Sequence, residues 1–434
     1  MKHLNHTGLI FLLLFAGGAT NTTWSQVEAI VKGKVTNEKG TPVKNAAIKV
    51  GSRDARTNDN GFFVVKNTEF PAQLTVNHPL YPEYLDMILL PEKWKDTIRV
   101  SVVLLGKETQ IEEVTVSAEQ IFWVYPRKQA NVLDFLVQPD DGILLCCSDE
   151  NRYFMRSLNT KGEKTNEIPI RNHPKKLYRD CMETIHLIYS DSIYETAVVN
   201  NSMGIFQPLA LSGIYNLLKS CVYKDDKNLV KYNYSNEDQR IEYLAINIQS
   251  KRSKTLYVGE DRTEYRQMGE YEYEHYMADE KMFHSQDSDE LKKTRKIWSN
   301  KQFYELIVIN PVYIPLFELN DSLFIFDHVN DSAVVFTKDG MRVRSFPIFY
   351  QYFDGWKKEL ITNLEKTKIF ARYDSEGITT LREINPTNGK IQRTIQLEKH
   401  VFPEHLQIHG DFIYYIYKDY LDQSMHYIFK QHLE

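Results

Sequence analysis

Residues 316–348 have the sequence LFELNDSLFIFDHVNDSAVVFTKDGMRVRSFPI, in which four short apolar segments alternate with turn residues. Asp321 and the tripeptide Lys338-Asp339-Gly340 are residue types that favour tight turns. The segments LFIFD and SAVVFT lie between them and have the length and the β-branched and aromatic content of buried strands. This stretch therefore predicts an antiparallel meander of four strands.

The same unit recurs along the chain at a spacing of roughly 40 residues, which is typical of β-propeller blades. Some copies are clear, whereas the second and third are degenerate and the last is incomplete. The copies cover Val132–Ile170, Thr184–Leu211, Tyr215–Val258, Leu316–Ile348, Ile369–Leu397 and Leu406–Leu433.

We therefore predict an all-β fold with a six-bladed propeller over residues 121–434. The incomplete last blade would gain an N-terminal strand at Ile121–Tyr125, because closing the ring removes exposed strand edges. In its pattern, the unit resembles six-bladed propeller-like proteins of Bacteroidetes. A large two-sheet β-sandwich is the alternative that the pattern leaves open.

A charged insertion at residues 259–311 interrupts the repeat. Ser288 is a helix-capping residue type, and the segment after it has acids first and bases last, as a helix dipole favours. The side chains of Leu291, Trp298 and Phe303 are the predicted contacts for a partner, since long insertions often carry function. A solvated surface excursion is the equally open alternative.

A smaller unit precedes the propeller and is predicted at residues 27–118. Ile30–Val35 alternates apolar and polar residues, as a half-buried strand does, and Asn37-Glu38-Lys39-Gly40 supplies a turn before the next strand at Ala46–Val50. These two strands are predicted to form a hairpin. Asn60-Gly61 is a strong tight-turn signal before a further buried strand.

The segments GKVTNEKGTPVKNAAIKV and ARTNDNGFFVV, which begin at Gly33 and Ala55, resemble the carboxypeptidase regulatory-like family. The resemblance covers about ninety residues. It implies a transthyretin-like sandwich of seven strands that is non-catalytic in spite of the family name. The chain departs from the family pattern at residues 77–84, where the family usually has Gly-Tyr.

The first 25 residues have the layout of a secretory signal peptide. Lys2 precedes the apolar core Leu9–Ala16, and small and polar residues follow, with processing predicted just before Gln26. We therefore expect an exported protein of the periplasm or outer membrane, without a transmembrane span in the mature chain. The formal net charge of −5 and the absence of a basic stripe argue against nucleic-acid binding.

The four cysteines fit no CxxC or zinc pattern. Cys146 and Cys147 are neighbours in a predicted strand, where adjacent side chains point to opposite faces, so one core thiol and one outward thiol are expected rather than a vicinal disulfide. Cys181 and Cys221 could pair in an oxidising compartment, a question that the sequence leaves open.

Sequence motifs of common enzyme classes (GxSxG, GxxxxGK[ST], GxGxxG and HExxH) are absent. His405 and His409 are four residues apart, but a strand there would separate them. Asp321, Asp327 and Asp331 lie at predicted turns, where Asp serves backbone geometry. No catalytic residue, cofactor or metal site is therefore predicted.

These features favour a non-catalytic binding or scaffold protein of the bacterial cell envelope. The sandwich would act as an adaptor, and the propeller would present a platform for an envelope protein or a glycan. The alternative is a propeller enzyme, a hydrolase or lyase acting on carbohydrate or peptide, because propeller sites are assembled from distant blades that no local motif reveals.

Overall fold

The computed structural model describes residues 29–67, 69–89, 97–105, 121–125, 130–149, 152–199, 202–235, 239–261, 312–397, 399–418 and 425–433. Over these residues the protein is all-β and propeller-like, which confirms the predicted fold class. No helix in these ranges is long and apolar enough to span a membrane.

The first seven strands form a β-sandwich of two sheets, as predicted. The strands are β1 (Ala29–Asn37), β2 (Ala47–Val50), β3 (Arg53–Arg56), β4 (Phe62–Asn67), β5 (Ala72–His78), β6 (Tyr81–Ile88) and β7 (Thr97–Leu104). One sheet has three strands in the order β4-β1-β7, and the other has four in the order β3-β2-β5-β6. Alternate residues of both sheets, among them Val31, Ile48, Leu74 and Val102, fill the core between them.

The predicted hairpin between the first two strands is wrong. The turn itself forms, with the Gly40 amide donating to the Asn37 carbonyl at 2.9 Å. However, β1 pairs with β4 on one side and with β7 on the other. Because both edges of β1 are occupied, the turn carries the chain across to the second sheet, where β2 pairs with β3 and β5.

The following strands form six sheets, numbered here in chain order. The strand β8 (Ile121–Trp123) comes first in the chain and belongs to sheet 6. Sheets 1 and 2 contain β9 (Asn131–Val137), β10 (Ile143–Asp149), β11 (Arg152–Leu158) and β12 (Lys164–Ile170), and then β13 (Lys176–Arg179), β14 (Ile185–Ile188), β15 (Ser192–Val199), β16 (Ser202–Ile205) and β17 (Leu209–Ala210). Sheets 3 and 4 contain β18 (Cys221–Lys224), β19 (Asn228–Ser235), β20 (Arg240–Asn247) and β21 (Ser253–Glu260), and then β22 (Leu316–Leu319), β23 (Ser322–Asp327), β24 (Ser332–Thr337) and β25 (Arg342–Pro347). Sheet 5 contains β26 (Trp356–Thr362), β27 (Ile369–Ser375), β28 (Ile378–Ile384) and β29 (Ile391–Leu397), and sheet 6 contains β30 (Glu404–His409), β31 (Phe412–Lys418) and β32 (His426–His432). A 3-10 turn, Tyr350–Tyr352, lies between sheets 4 and 5.

The last sheet is completed by the strand that precedes the first sheet. β8 pairs antiparallel with β32, with Trp123 opposite Phe429 and Ile121 opposite Gln431. The predicted closure by an N-terminal strand is therefore confirmed, and it removes the free edge that sheet 6 would otherwise expose.

Contacts between adjacent sheets close the six sheets into a ring. Sheets 1 and 2 are joined by the Leu177 amide, which donates to Asp134, and sheets 2 and 3 by the Cys181–Cys221 disulfide. Sheets 3 and 4 are joined by the Tyr243 hydroxyl, which donates to the Ile314 carbonyl, and sheets 4 and 5 by the Glu318–Lys366 ion pair. Sheets 5 and 6 are joined by a β-bridge between Asn363 and Ile408, and sheets 6 and 1 by the Gln407 amide group, which donates to the Phe135 carbonyl. The first strand of each sheet lies innermost, so all six line the centre of the ring.

The third unit differs from the prediction at its start. A strand is expected from Tyr215, but the helix α1 occupies Leu211–Ser220 and sheet 3 begins directly after it at Cys221. Leucine and lysine favour helices, and the segment LSGIYNLLKS has three leucines and a lysine. The helix therefore serves as the connection between sheets 2 and 3.

Both adjacent cysteines of sheet 1 are buried free thiols. The expectation of one outward thiol at this pair is wrong because a sheet of the ring has a neighbouring sheet on each face. Cys147 belongs to the core that sheet 1 shares with sheet 6, and Cys146 to the core that it shares with sheet 2.

The sandwich contacts the ring through β6. Leu85 is buried in the core of sheets 4 and 5, beside Phe346 and Tyr350, and Met87 packs against the same core. Lys390 in the ring places its Nζ 2.5 Å from the Asp86 carboxylate. The outer face of the four-stranded sheet therefore docks on the ring.

Candidate functional site

The inner strands of the ring converge on a cavity of about 550 Å³. Each of the six sheets contributes residues of its first strand to the wall. Representative lining residues are Val137, Arg179, Tyr223, Glu318, Thr362 and Gln407, one from each sheet. The cavity is thus the mouth of the central channel, in the size range of small-molecule sites.

An ion-pair network lies across this mouth. Lys366, in the turn after β26 of sheet 5, places its Nζ 3.0 Å from Glu318 of sheet 4 and 3.1 Å from Glu183 of sheet 2. Sheets 2 and 5 are opposite each other in a ring of six, so Lys366 bridges the channel mouth. Lys338 extends the network with contacts of 2.8 Å to both Glu318 and Asp321.

Hydrogen bonding keeps the network charged. Burial alone would raise the pKa of Glu318, but the ammonium groups of Lys338 and Lys366 hold that pKa below its usual value. Burial likewise opposes the charge of Lys366, yet its bonds to Glu318 and Glu183 raise its pKa overall. These side chains therefore carry fixed charges around neutral pH.

Arg179 supplies a second cation at the mouth. It is the last residue of β13, and it donates through Nη2 to the Val137 carbonyl at 2.8 Å. Its Nε lies 3.8 Å from Glu183. Burial lowers the pKa of Arg179, but a guanidinium remains protonated in proteins.

A side cavity of about 400 Å³ adjoins the mouth and is lined by Arg179, Lys366 and His409 among others. His409 ends β30 and lies between two carboxylates, with Nδ1 2.5 Å from Glu365 and Nε2 2.7 Å from Asp141. Burial raises the pKa of Glu365, but the Gly410 amide and the nearby His409 lower it more. The imidazole is buried and lines this side cavity.

His405 and His409, the pair that are four residues apart in the sequence, contact different carboxylates. His405 and His409 lie in one strand, and His405 contacts Asp134 instead of the carboxylates that flank His409. Within the described ranges, no group of three or more His, Cys, Asp or Glu residues is arranged to hold a metal ion.

The three aspartates of sheet 4 serve turns and joints, as the turn interpretation expects. Asp321 has a positive φ of 60° and is exposed beside Lys338. Asp327 is fully buried and accepts from the Val329 and Asn330 amides and from the Tyr257 hydroxyl. None of them forms a paired-acid site with another.

The predicted partner contacts Leu291, Trp298 and Phe303, together with the predicted helix, lie outside the described residues. Arg179, Glu183 and Lys366 are the residues that sequence analysis missed. Arg179 and Glu183 lie at a turn of sheet 2, and Lys366 lies in a turn of sheet 5. Charged residues are common at such turns. Arg179 and Glu183 flank one turn of sheet 2, but no local signal in the sequence connects them with Lys366, because only closure of the ring brings Lys366 to them.

No protein-family model and no curated protein matches the chain. Among solved structures, the chain is similar to a catalytically inactive variant of virginiamycin B lyase from Staphylococcus aureus, at 10% identity and a TM-score of 0.31 over 95% of this chain and 97% of that one. It is also similar to a putative 6-phosphogluconolactonase from Bacteroides uniformis, at 9% identity and a TM-score of 0.28 over 88% and 94%. A protein from Lactobacillus plantarum has 5% identity and a TM-score of 0.30 over 87% and 90%. Identity and TM-score are low for all three structures, and the fold is defined by the sheet order and the contacts that close the ring.

Proposed function

We propose that the chain is an exported, non-catalytic binding protein that takes a charged ligand at the channel mouth. The observation that carries this proposal is the Lys366 bridge, which sets a cation between Glu183 and Glu318 at the wall of the cavity. Arg179 adds a second cation there, so the mouth offers both signs of charge within one concave surface.

Fixed charges favour recognition over acid–base chemistry. A general acid or base works best when its pKa lies near the working pH. The pKa of Glu318 is lowered and that of Lys366 is raised, which moves both away from neutrality. The mouth therefore suits a zwitterionic ligand, such as a short peptide or the charged tip of a partner's loop, better than a neutral sugar.

The test is calorimetric titration of the full chain with zwitterionic tripeptides and, separately, with neutral oligosaccharides. Peptide binding should be lost in Lys366→Met and weakened in Glu183→Gln. It should persist in Lys161→Met, a matched change at an exposed turn of sheet 1. Binding of sugars alone, or peptide binding that Lys366→Met leaves intact, would contradict the proposal.

Export is part of the proposal. It is supported by the signal-peptide pattern of the first 25 residues and by the Cys181–Cys221 disulfide, since disulfides persist mainly in oxidising compartments. The sandwich, which resembles the carboxypeptidase regulatory-like family, would be the adaptor that places the ring at the cell envelope. Mature protein isolated from cells should begin at Gln26, and an intact Met1 would argue against export.

A second candidate is an enzyme of the same mouth, and His409 favours it. A histidine close to a carboxylate, as His409 is to Glu365 and to Asp141, is the pairing that a base and its orienting group require. The peptides recovered from the titration should be unchanged in mass if the protein only binds them. Cleavage that disappears in His409→Gln would favour the enzyme instead.

A further inference from the structure

The outer face of the three-stranded sheet of the sandwich combines cations with exposed apolar side chains. In β1, the inward residues Val31 and Val35 are fully buried, so the alternate residues Lys32 and Lys34 point outward. Strand pairing sets Lys34 opposite Phe62, and sets Lys32 between Val64 and Arg99. We name this surface the basic face, comprising Lys32, Lys34, Lys66, Arg99, Phe62 and Val64.

The charge of the basic face has one sign. The three strands β1, β4 and β7 contain no Asp or Glu. From Ala29 to Leu105, the chain has 11 Lys and Arg against 8 Asp and Glu, whereas the rest of the sequence has 42 against 50. The sandwich is therefore the basic part of an acidic chain, and four of its cations, Lys32, Lys34, Lys66 and Arg99, lie on this face without a carboxylate in the same three strands.

The apolar residues of the face are unusually open to solvent. Phe62 is 49% exposed and Val64 is 56% exposed, and Val103 at the outer edge of β7 is 46% exposed. The Lys34 ammonium lies 5.4 Å from the centre of the Phe62 ring, so charge and apolar surface are in direct contact. A partner must therefore accept cations and apolar groups on the same surface.

The opposite side of the sandwich is already occupied. The outer face of the four-stranded sheet places Leu85 and Met87 against the ring. Its exposed charges are of mixed sign, since Lys49 is paired across strands with Asp54. The two sheets of a sandwich present their outer faces in opposite directions, so the basic face points away from this contact.

We propose that the basic face binds an anionic phospholipid surface. Lipid phosphates would contact Lys32, Lys34 and Arg99, while Phe62 and Val64 enter the boundary between headgroups and acyl chains. An acidic polymer could match the charges but would leave the apolar side chains in water. A lipid surface satisfies both, and this role is independent of any ligand at the channel mouth.

The experiment is sedimentation of the full chain with vesicles of phosphatidylglycerol and phosphatidylethanolamine, with phosphatidylcholine vesicles as the neutral reference. Binding should occur only to the anionic vesicles and should weaken as salt is added. Lys32→Gln with Arg99→Gln should lower the partition coefficient about 25-fold, since each cation near an anionic surface contributes about fivefold. Phe62→Ser should lower it about tenfold without any change of charge.

The matched control is Lys49→Gln with Arg56→Gln, which removes two exposed cations from the other sheet. This pair should change the partition coefficient by no more than about twofold, because it lies beyond a Debye length from the bound surface. All substituted side chains point outward, and an unchanged thermal midpoint will show that each variant is folded.

Two results would overturn the proposal. One is equal binding of the native chain to neutral and anionic vesicles, or to neither. The other is retention on immobilised polyglutamate that depends on Lys32 and Arg99 but not on Phe62, which would assign the face to an acidic polymer.

Discussion

The joint between sheets 2 and 3 is built differently from the other five joints of the ring. At those five, buried apolar side chains from both sheets form one continuous core, as with Phe370, Leu381, Ile413 and Tyr415 between sheets 5 and 6. Among the described residues, sheets 2 and 3 share no such core. The Cys181–Cys221 disulfide joins them instead.

Polar and aromatic groups surround that disulfide. His186 Nε2 lies 2.8 Å from the Asp180 carboxylate, and Tyr178 packs edge-on against Tyr215 of α1 with ring centres 6.1 Å apart. Burial raises the pKa of Tyr178 to about 12. Burial would also raise the pKa of Asp180, but bonds from His186 and from the Met182 and Thr184 amides lower it overall.

The difference shows that a ring of sheets can be closed by two means. A layer of apolar side chains stabilises a joint in proportion to the area that it removes from water. A disulfide stabilises a joint chiefly by restricting the unfolded chain, so its contribution does not depend on how much surface the folded joint buries. Removing apolar side chains and the disulfide in separate variants should therefore show which joints depend on apolar packing and which depend on the cross-link.

The largest effect is expected from the disulfide. Cys181→Ser with Cys221→Ser opens a loop with a sequence separation of 40 residues, which should lower the free energy of unfolding by about 4 kcal/mol. Guanidinium titration of this variant and of the native chain measures the difference. Reducing agent should shift the native chain to the variant's midpoint and leave the variant itself unmoved. A loss below about 1 kcal/mol would mean that the surrounding polar contacts hold the joint by themselves.

A core substitution at an apolar joint should come next. Leu381 is fully buried between sheets 5 and 6, and Leu381→Ala should cost about 3 kcal/mol through lost burial and a residual cavity. Tyr215→Ala, at the joint of sheets 2 and 3, should cost about 1 kcal/mol because the ring is only half buried. The same titration compares them, and equal losses would remove the distinction between the two kinds of joint.

The smallest effect concerns an ion pair at the joint of sheets 6 and 1. The hydrogen bond to Asp134 raises the pKa of His405, so this contact stabilises the fold at pH values below the ordinary histidine pKa. The contribution is lost as pH rises through the raised pKa. His405 is nearly half exposed, so solvent screening keeps the effect under about 1 kcal/mol. His405→Gln should therefore lower the thermal midpoint at mildly acidic pH and leave it unchanged at alkaline pH, and the opposite trend would refute this account.

Much of the ring was predictable because its signals are local. The unit at residues 316–348 became β22 to β25, and the turn residues Asp321 and Gly340 both adopt positive φ. The segment Ile121–Tyr125 was expected to close the last sheet, and it does so through β8. Alternation and turn chemistry depend only on near neighbours in the chain, so they can be recognised without knowing the fold.

The candidate site could not be predicted in the same way. Lys366 and Glu183 are 183 residues apart, and each lies in an ordinary charged turn. Local sequence also does not show which distant strands lie side by side. For this reason the predicted hairpin of β1 and β2 and the predicted outward thiol at Cys146 or Cys147 were both wrong. In each case the partner of the residue is set by which sheet lies beside it.

The sequence by itself determined the all-β class, the period of the sheets and most strand positions, because periodicity and turn preferences act over a few residues. Only the tertiary structure decided which faces are covered, since burial depends on neighbours distant in the chain. It placed Leu85 of the sandwich in the core of the ring, left Phe62 exposed among lysines, and brought Arg179, Glu183 and Lys366 to one channel mouth. Arg179 and Glu183 are neighbours around one turn of sheet 2, and ring closure brings Lys366 to them from a distant part of the chain.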